Sequence, residues 1–275
     1  TIEDLAFRAN HVIANEIDIV KNQMARNRVD MLYGMASFVD PHRLRIHQAT
    51  GEVDHTADFI VIAVGTEPAR PAEIPFDDES IIDTDGILRL KRIPDSLTIV
   101  GGGVIGTEYA SILAAMGIPV TLIDKRPRLL EFVDEEIIRA LQTQMKDIGV
   151  TLYHDEEVLT IAKEDDHQIN VCLKHAKPIQ TSTLMYAIGR EGATKDLNLE
   201  SIRLTPDQRG RLYVNAHFQT AIPHIYAAGD VIGFPALAST SMQQGRHASC
   251  HAFGISDRTD TDLLPYGIYA IPEIS

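Results

Sequence analysis

The residues best placed by type and spacing to do chemistry are Gly101, Gly103 and Gly106, in the run TIVGGGVIGTEYASI. They spell G-x-G-x-x-G after an apolar strand-like run and at the start of a helical one, the setting in which this spacing binds a dinucleotide. Gly101 permits a tight turn, Gly103 lets backbone N–H groups reach a pyrophosphate, and Gly106 lets helix and strand pack closely. The helix N-terminus adds partial positive charge where the phosphates lie. Asp124, 18 residues beyond Gly106, ends the next strand-like run, where a carboxylate accepts hydrogen bonds from an adenosine ribose. Lys125, Arg126 and Arg128 follow directly. One carboxylate beside three cations suits both the 2′-hydroxyl of NAD and the 2′-phosphate of NADP, which a guanidinium matches bidentately. The bland alternative is that Arg126 and Arg128 only solvate a loop.

A second carboxylate, Asp230 in AAGD, stands at the end of another apolar run and before a helical one. That is where open α/β sheets bind ligands, and it is equally a helix-cap position. The helix beyond starts among Pro235, Ala236, Leu237 and Ala238, whose free N–H groups suit an electron-rich ring. No hydrolytic or metal constellation stands out. His247 and His251 are four residues apart on the same helix but lack a carboxylate or cysteine companion, so a surface pair is expected. Cys172 and Cys250 show no metal or redox spacing and are expected to be isolated, buried and unreactive.

Several elements must position these groups. Ile2, Leu5, Ala6, Ala9, Val12, Ile13, Ile17, Val20 and Met24 form an apolar stripe on one long helix. Short apolar runs between 29 and 64 alternate with turns such as Asp40-Pro41, as strands do, and 65–97 reads as an irregular, proline-rich connection. A βαβ unit follows, with strands at 97–100 and 120–123 and a helix at 104–116 that turns Ile105, Ile112, Leu113 and Met116 inward. A helix from 134 to 148 ends at Gly149, and strands are expected at 150–153, 157–162, 168–173 and 183–188. The helix from 237 to 253 is expected to pack through Leu237, Ser241, Met242, Gly245, Ala248 and Ala252, and a further strand to begin after Leu263.

Composition narrows the partners. With 25 basic and 39 acidic residues the net charge is −14, which repels nucleic acids and anionic membranes. Apolar runs such as Phe59 to Val64 fall far short of the ~20 residues that span a bilayer. No export signal is visible at the amino terminus, so a cytoplasmic location is expected. The chain opens without Met and closes on an apolar run, and is expected to be a fragment.

The motifs VIAVGTEP (61–68), IVGGGVIGTEYA (99–110), AIGR (187–190), TAIPHIYAAGDVIGFPALA (220–238), QQGRHA (243–248) and IPEIS (271–275) together resemble the flavin-dependent pyridine nucleotide disulfide oxidoreductase family. Through YGMASFVD, GDVIGFPALAS and YAIPEIS the chain is most similar to the transhydrogenase branch, with dihydrolipoamide dehydrogenases as the near neighbour. The resemblance implies an α/β fold in which a Rossmann-like NAD(P) domain is inserted in an FAD domain, as in glutathione reductase. The expected limits are 1–95 for a partial FAD-binding domain, 96–211 for the NAD(P)-binding domain, 212–262 for the remaining FAD-binding part and 263–275 for the start of a dimerisation domain.

By the same resemblance Ala36 would contact the FAD adenosine through its backbone, Gly65 and Thr66 would lie along FAD, Gly229 would belong to the cofactor site, Asp230 would bind the ribitol, and the helix at Ala238 would face the ring. Gly101 to Gly106, including Val104 and Ile105, would line the nicotinamide dinucleotide with Asp124, Val158 and Ala187 to Arg190, Gly189 among them. Glu108 would reach the carboxamide, and Val104 would sit near the flavin. The implied reaction is hydride transfer from NADPH to NAD through FAD at one nucleotide site, in a homo-oligomeric parent, the fragment itself being weakly active or inactive. A disulfide reductase and a non-catalytic dinucleotide-binding module are the other readings.

Overall fold

The computed structural model describes residues 2–165, 168–256 and 267–275, as two compact units. One is built on Pro68–Gly189 with the two ends of the chain, the other on Glu16–Glu67 and Arg190–Leu264. Helix α1 (Ile2–Arg26) is divided between them. Its apolar stripe does not form a core: Val12, Ile13, Ile17 and Val20 are all exposed.

The second unit begins with an antiparallel meander of β1 (Met35–Asp40), β2 (Arg43–Gln48) and β3 (Gly51–Thr56). Next come β4 (Ile60–Ile62) and β5 (Thr66–Pro68).

The first unit takes over with β6 (Ile81–Asp83), β7 (Leu97–Val100), α2 (Val104–Ala115), β8 (Val120–Ile123), α3 (Glu135–Asp147) and β9 (Val150–Tyr153). An antiparallel meander follows, of β10 (Val158–Asp165), β11 (Gln168–Leu173) and β12 (Ile179–Thr181), and then β13 (Thr183–Tyr186). Five strands form one parallel sheet in the order β6-β13-β7-β8-β9. Its strands bury both faces, as parallel sheets must. Leu97, Ile99, Leu122 and Met185 pack with α2 and α3, while Ile81, Ile123, Leu184 and Tyr186 pack with Ile169, Val171 and Leu173 of the meander.

Segment 65–97 is therefore more than a connection. Its β6 pairs with β13, anchored by Asp77, which accepts the backbone N–H groups of Glu79, Ser80 and Ile81 and an ion pair from Lys163. This pairing is why the compact unit starts at Pro68.

The chain returns to the second unit at β14 (Arg190–Gly192), which pairs with β5, and at β15 (Ile225–Ala227), which pairs in parallel with β4. Phe38, Ile60, Ile62, Leu212, Ile225 and Val231 are central to its core. Helix α4 (Ala238–Ala252) buries Thr240, Gln244 and Ala248. Met242, expected inward, is 71% exposed. The pattern of small residues misled because Gln244 is inward for a polar reason: its side-chain carbonyl accepts the Gly229 N–H at 2.7 Å. In α2 likewise the inward face is Gly106, Thr107, Ala110, Ser111, Leu113 and Ala114, and Met116 is exposed. Cys172 and Cys250 are free and half-buried, not buried. The strand expected after Leu263 begins outside the described residues; from 267 onward the chain offers only a bridge between Ile268 and Ile274. Among the described residues no helix is long and apolar enough to cross a membrane.

Candidate functional site

The glycine loop joins β7 to α2, and each glycine in it has its own physical reason. Gly101 has φ of +110°, and a Cβ there would lie 2.4 Å from the Ala187 carbonyl oxygen. At Gly106 a Cβ would lie 1.9 Å from the Gly101 carbonyl oxygen, so α2 can approach β7 only without a side chain. Gly103 differs. It is the N-cap of α2, has an ordinary extended backbone (φ −74°, ψ −175°), and would place a Cβ in open space. No side chain caps α2 there, so its first N–H groups are left for a ligand. This cradle fits a pyrophosphate.

Gly102, which the sequence pattern treats as a free position, is fixed by what lies over it. A Cβ there would meet Leu129 Cδ2 at 2.3 Å and the Asp124 carboxylate at 2.8 Å. Asp124 ends the run of β8 and is almost wholly buried. Its carboxylate accepts the Gly102 N–H, the Arg126 N–H at 2.8 Å and the Arg126 Nε–H at 2.9 Å, and Arg126 Nη2 closes a bidentate pair. Burial pushes this carboxyl up, but the Arg126 guanidinium and the two backbone N–H groups outweigh it and hold the group below the usual carboxylate range. Arg128 instead donates to the Glu131 carbonyl at 3.0 Å. Of the two arginines, then, Arg126 is paired with the Asp124 carboxylate and Arg128 is tied to its own loop.

Two other carboxyls of this unit are depressed in the same way. At Asp77 burial raises the pKa, and Lys163 with the N–H groups of Ile81 and Glu79 and the Ser80 hydroxyl pull it well below the ordinary range. At Glu156 burial is outweighed by the N–H groups of Glu157, His175, Lys174 and Ala176. A carboxyl depressed in the folded state contributes stability that is present above its unfolded pKa, about 4, and is lost as pH falls through the folded value. The unit is therefore expected to melt at a markedly lower temperature at pH 3 than at pH 7, with Asp124→Asn narrowing the gap. Thermal unfolding followed by circular dichroism at the two pH values checks this.

The remaining residues expected near the nicotinamide dinucleotide are spread along the same unit. Ala187 packs on the loop, its N–H donating to Val100 O at 2.8 Å. Val104 and Ile105 open α2 and are half-buried. Glu108 on α2 accepts the Tyr269 N–H at 2.8 Å, and Ser111, one turn on, accepts that of Ile271 at 2.9 Å. Val158 starts β10, and Gly189 (φ +122°) accepts the Ala69 N–H.

Arg190 goes elsewhere. Its Nε donates to the Thr66 hydroxyl and its Nη2 to the Thr66 carbonyl, both at 2.8 Å, and that hydroxyl donates to Asp230 at 3.3 Å. Arg190, Thr66 and Asp230 thus form a relay in the second unit, beside Gly65 (φ +69°), whose Cβ position is open. Asp230 does not cap α4: the N-cap is Leu237, which makes no side-chain bond, so the N–H groups at Ala238 stay uncapped. Gly229 (φ +81°) is held by Gln244, which lies in QQGRHA but is given no role by that motif. Ala36 lies in β1 opposite Ile46. A carboxylate at a strand end, Gly65 with its open Cβ position and an uncapped helix start fit the ribityl and ring portions of a flavin.

His247 and His251 gain a third ring, His217, 4.2 Å from His251 between centroids and nearly parallel to it. Stacked rings do not converge on a cation, and no group among the described residues is arranged to hold a metal ion.

Comparison with known proteins agrees with this geometry. Residues 4–245 match the family model described as pyridine nucleotide-disulphide oxidoreductase. The chain is 48% identical over 277 aligned residues to the soluble pyridine nucleotide transhydrogenase of Mycobacterium tuberculosis, covering all of this chain and 59% of that protein. It is 42% identical to the protein of the same name from Marinobacter nauticus, covering 97% of this chain and 58% of the other. Among solved structures, LpdA from Mycobacterium tuberculosis superposes with a TM-score of 0.92 at 24% identity, over 99% of this chain and 61% of that one. The Cu(II) complex of the flavoprotein disulfide reductase RclA from Escherichia coli gives 0.86 at 28% identity, over 98% and 61%. The chain thus spans about three-fifths of the length of the proteins it matches.

Proposed function

The chain belongs to the pyridine nucleotide-disulphide oxidoreductase family, and on that premise we propose that it supplies the nucleotide site and part of the flavin site of an enzyme that exchanges hydride between NADPH and NAD. The observation that carries the reading is the pairing of an open, uncapped α2 start at Gly103 with the Asp124–Arg126 pair at the end of the neighbouring strand. The first cradles a pyrophosphate that both nucleotides share. The second would offer a 2′-phosphate the guanidinium edge that Asp124 leaves free, and would offer a 2′-hydroxyl the carboxylate once Arg126 turns aside, as a site serving both nucleotides requires. The relatives named soluble pyridine nucleotide transhydrogenase support the same activity.

In this reading the limits 1–95, 96–211, 212–262 and 263–275 are those of the functional parts, the setting is cytoplasmic and the whole protein is a homo-oligomer. FAD, when bound, supplies the hydride-carrying ring. The chain's own residues bind and orient. Gly103 and the first turn of α2 take the pyrophosphate, while Glu108 positions the carboxamide end through a carboxylate already fixed by the Tyr269 N–H. Arg190 holds the Thr66 hydroxyl so that it donates to Asp230, which fixes the carboxylate that receives the ribitol. The uncapped N–H groups at Ala238 stabilise negative charge on a reduced ring.

Reduction of a thio-NAD analogue by NADPH, assayed in flavin-loaded protein of the relatives' full length that includes this chain, tests the activity; turnover supports it, and no turnover counts against it. Arg126→Ala is expected to weaken NADPH binding about 10-fold and NADH binding much less, since a charge-assisted contact to phosphate is lost. Fluorescence titration with each nucleotide reads the difference.

A further inference from the structure

Glu156 lies between β9 and β10, just past the carboxyl edge of the parallel sheet where such folds bind ligands. Its main chain is tied to the residue proposed to receive the ribose: the Glu156 N–H donates to Asp124 O at 3.1 Å. The residue before it, Asp155, makes a left-handed turn (φ +53°) and donates its N–H to Arg126 O at 3.2 Å. The Glu156 side chain is 4% exposed and reaches the turn between β11 and β12. One carboxylate oxygen accepts the N–H groups of Lys174 at 2.7 Å and His175 at 3.0 Å, and the other those of His175 at 3.2 Å and Ala176 at 2.9 Å. Successive backbone N–H groups of this kind form an anion-binding concavity, and here the chain's own carboxylate fills it. One residue thus fastens the Asp124–Arg126 loop through its main chain and a turn 18 to 20 positions away through its side chain.

We propose that Glu156 is a positioning residue for the adenosine half of a bound nucleotide, acting through Asp124, whose main chain it anchors to the β11–β12 turn. The assignment rests on the nucleotide-binding reading above. Glu156 meets no ligand itself, because its carboxylate is taken up by the turn. A carboxylate suits this position because it only accepts, and both of its oxygens face N–H groups. An amide of the same size would turn a donor toward one side of that concavity, leave N–H groups there without an acceptor and slacken the anchor.

The test is a double-mutant cycle of Glu156→Gln and Asp124→Asn, with adenosine 5′-monophosphate and NADH titrated by calorimetry well below every melting transition. Glu156→Gln alone is expected to lose about 10-fold in affinity for both probes, and in the Asp124→Asn background to change it by less than about twofold, because the two residues act as one. Parent-like affinity in Glu156→Gln overturns the assignment even where the melting temperature falls, since that is what a merely structural anchor does. Losses that add in the double variant also overturn it, because Glu156 would then act by another route than Asp124. Should Glu156→Gln not fold, amide exchange in the parent decides. Coupling between sites is reciprocal, so saturation with adenosine 5′-monophosphate is expected to slow exchange at Lys174, His175 and Ala176 more than across the rest of the unit. A uniform change there, or none, rejects the proposal. A parent that binds neither probe brings down the nucleotide-binding reading and this assignment together, whereas parent binding that Glu156→Gln leaves intact overturns this assignment alone.

Discussion

Gly106→Ala is expected to prevent the nucleotide unit from folding to a stable state. The added methyl would sit 1.9 Å from the Gly101 carbonyl oxygen and 3.3 Å from Ala187 Cβ, and the first of these neighbours is backbone held within the sheet. The N–H groups of Gly101 and Ala187 donate to Ile123 O and Val100 O, both at 2.8 Å, so neither loop can retreat without breaking the ladder at the end of β7. Overpacking in a well-ordered core typically costs 1–3 kcal/mol and occasionally more, roughly. A backbone contact this short belongs to the upper end, against a total stability of roughly 5–15 kcal/mol. Differential scanning calorimetry is expected to show the transition shifted down by 10 °C or more, on the order of the scaling for a domain this size, or lost. A shift of less than ~2 °C would contradict the packing argument.

Gly103→Val is expected to do the opposite: leave the fold intact and remove the nucleotide. The backbone there is one that valine adopts freely, and nothing lies within 4 Å of the added Cβ, so the melting temperature should stay within about 2 °C of the parent. The isopropyl group would stand over the N–H groups at the start of α2 and keep a pyrophosphate from reaching them. Several charge-assisted bonds, at about 1.5–3 kcal/mol each, depend on that approach, so affinity for NADH and NADPH together should fall about 100-fold or more. Parent-like binding in Gly103→Val would mean the phosphates lie elsewhere. The two variants lie three positions apart, yet one tests packing and the other access.

This contrast also marks how far the sequence is legible. The G-x-G-x-x-G spacing identifies the loop, and the following strand end identifies Asp124, because local spacing dictates both. The spacing also gives Gly103 to the ligand and Gly101 and Gly106 to the turn and the packing, but it does not show what crowds Gly101: Ala187, distant in sequence and brought alongside by β13. Gly102 was invisible for the same reason: its lack of a side chain answers to Asp124 and Leu129 overhead. In α4 the small residues suggested a packing stripe, but Gln244 faces inward to satisfy the Gly229 N–H, and a hydrogen bond leaves no periodic trace. β6 was hidden in a proline-rich stretch because three residues are too few to show a period, and only pairing with β13 makes them a strand. Arg190 sits in AIGR next to residues of the nucleotide unit but turns to Thr66, a partner 124 positions away.

The most direct test of the central claim, one site for two pyridine nucleotides, is a competition titration. NADH bound to the chain is followed by its fluorescence while NADPH is added, and the reverse. The expected result is saturable binding of each at one per chain, with mutual displacement and a selective loss of NADPH affinity in Arg126→Ala. Binding of neither nucleotide, or independent binding of both at once, would contradict it.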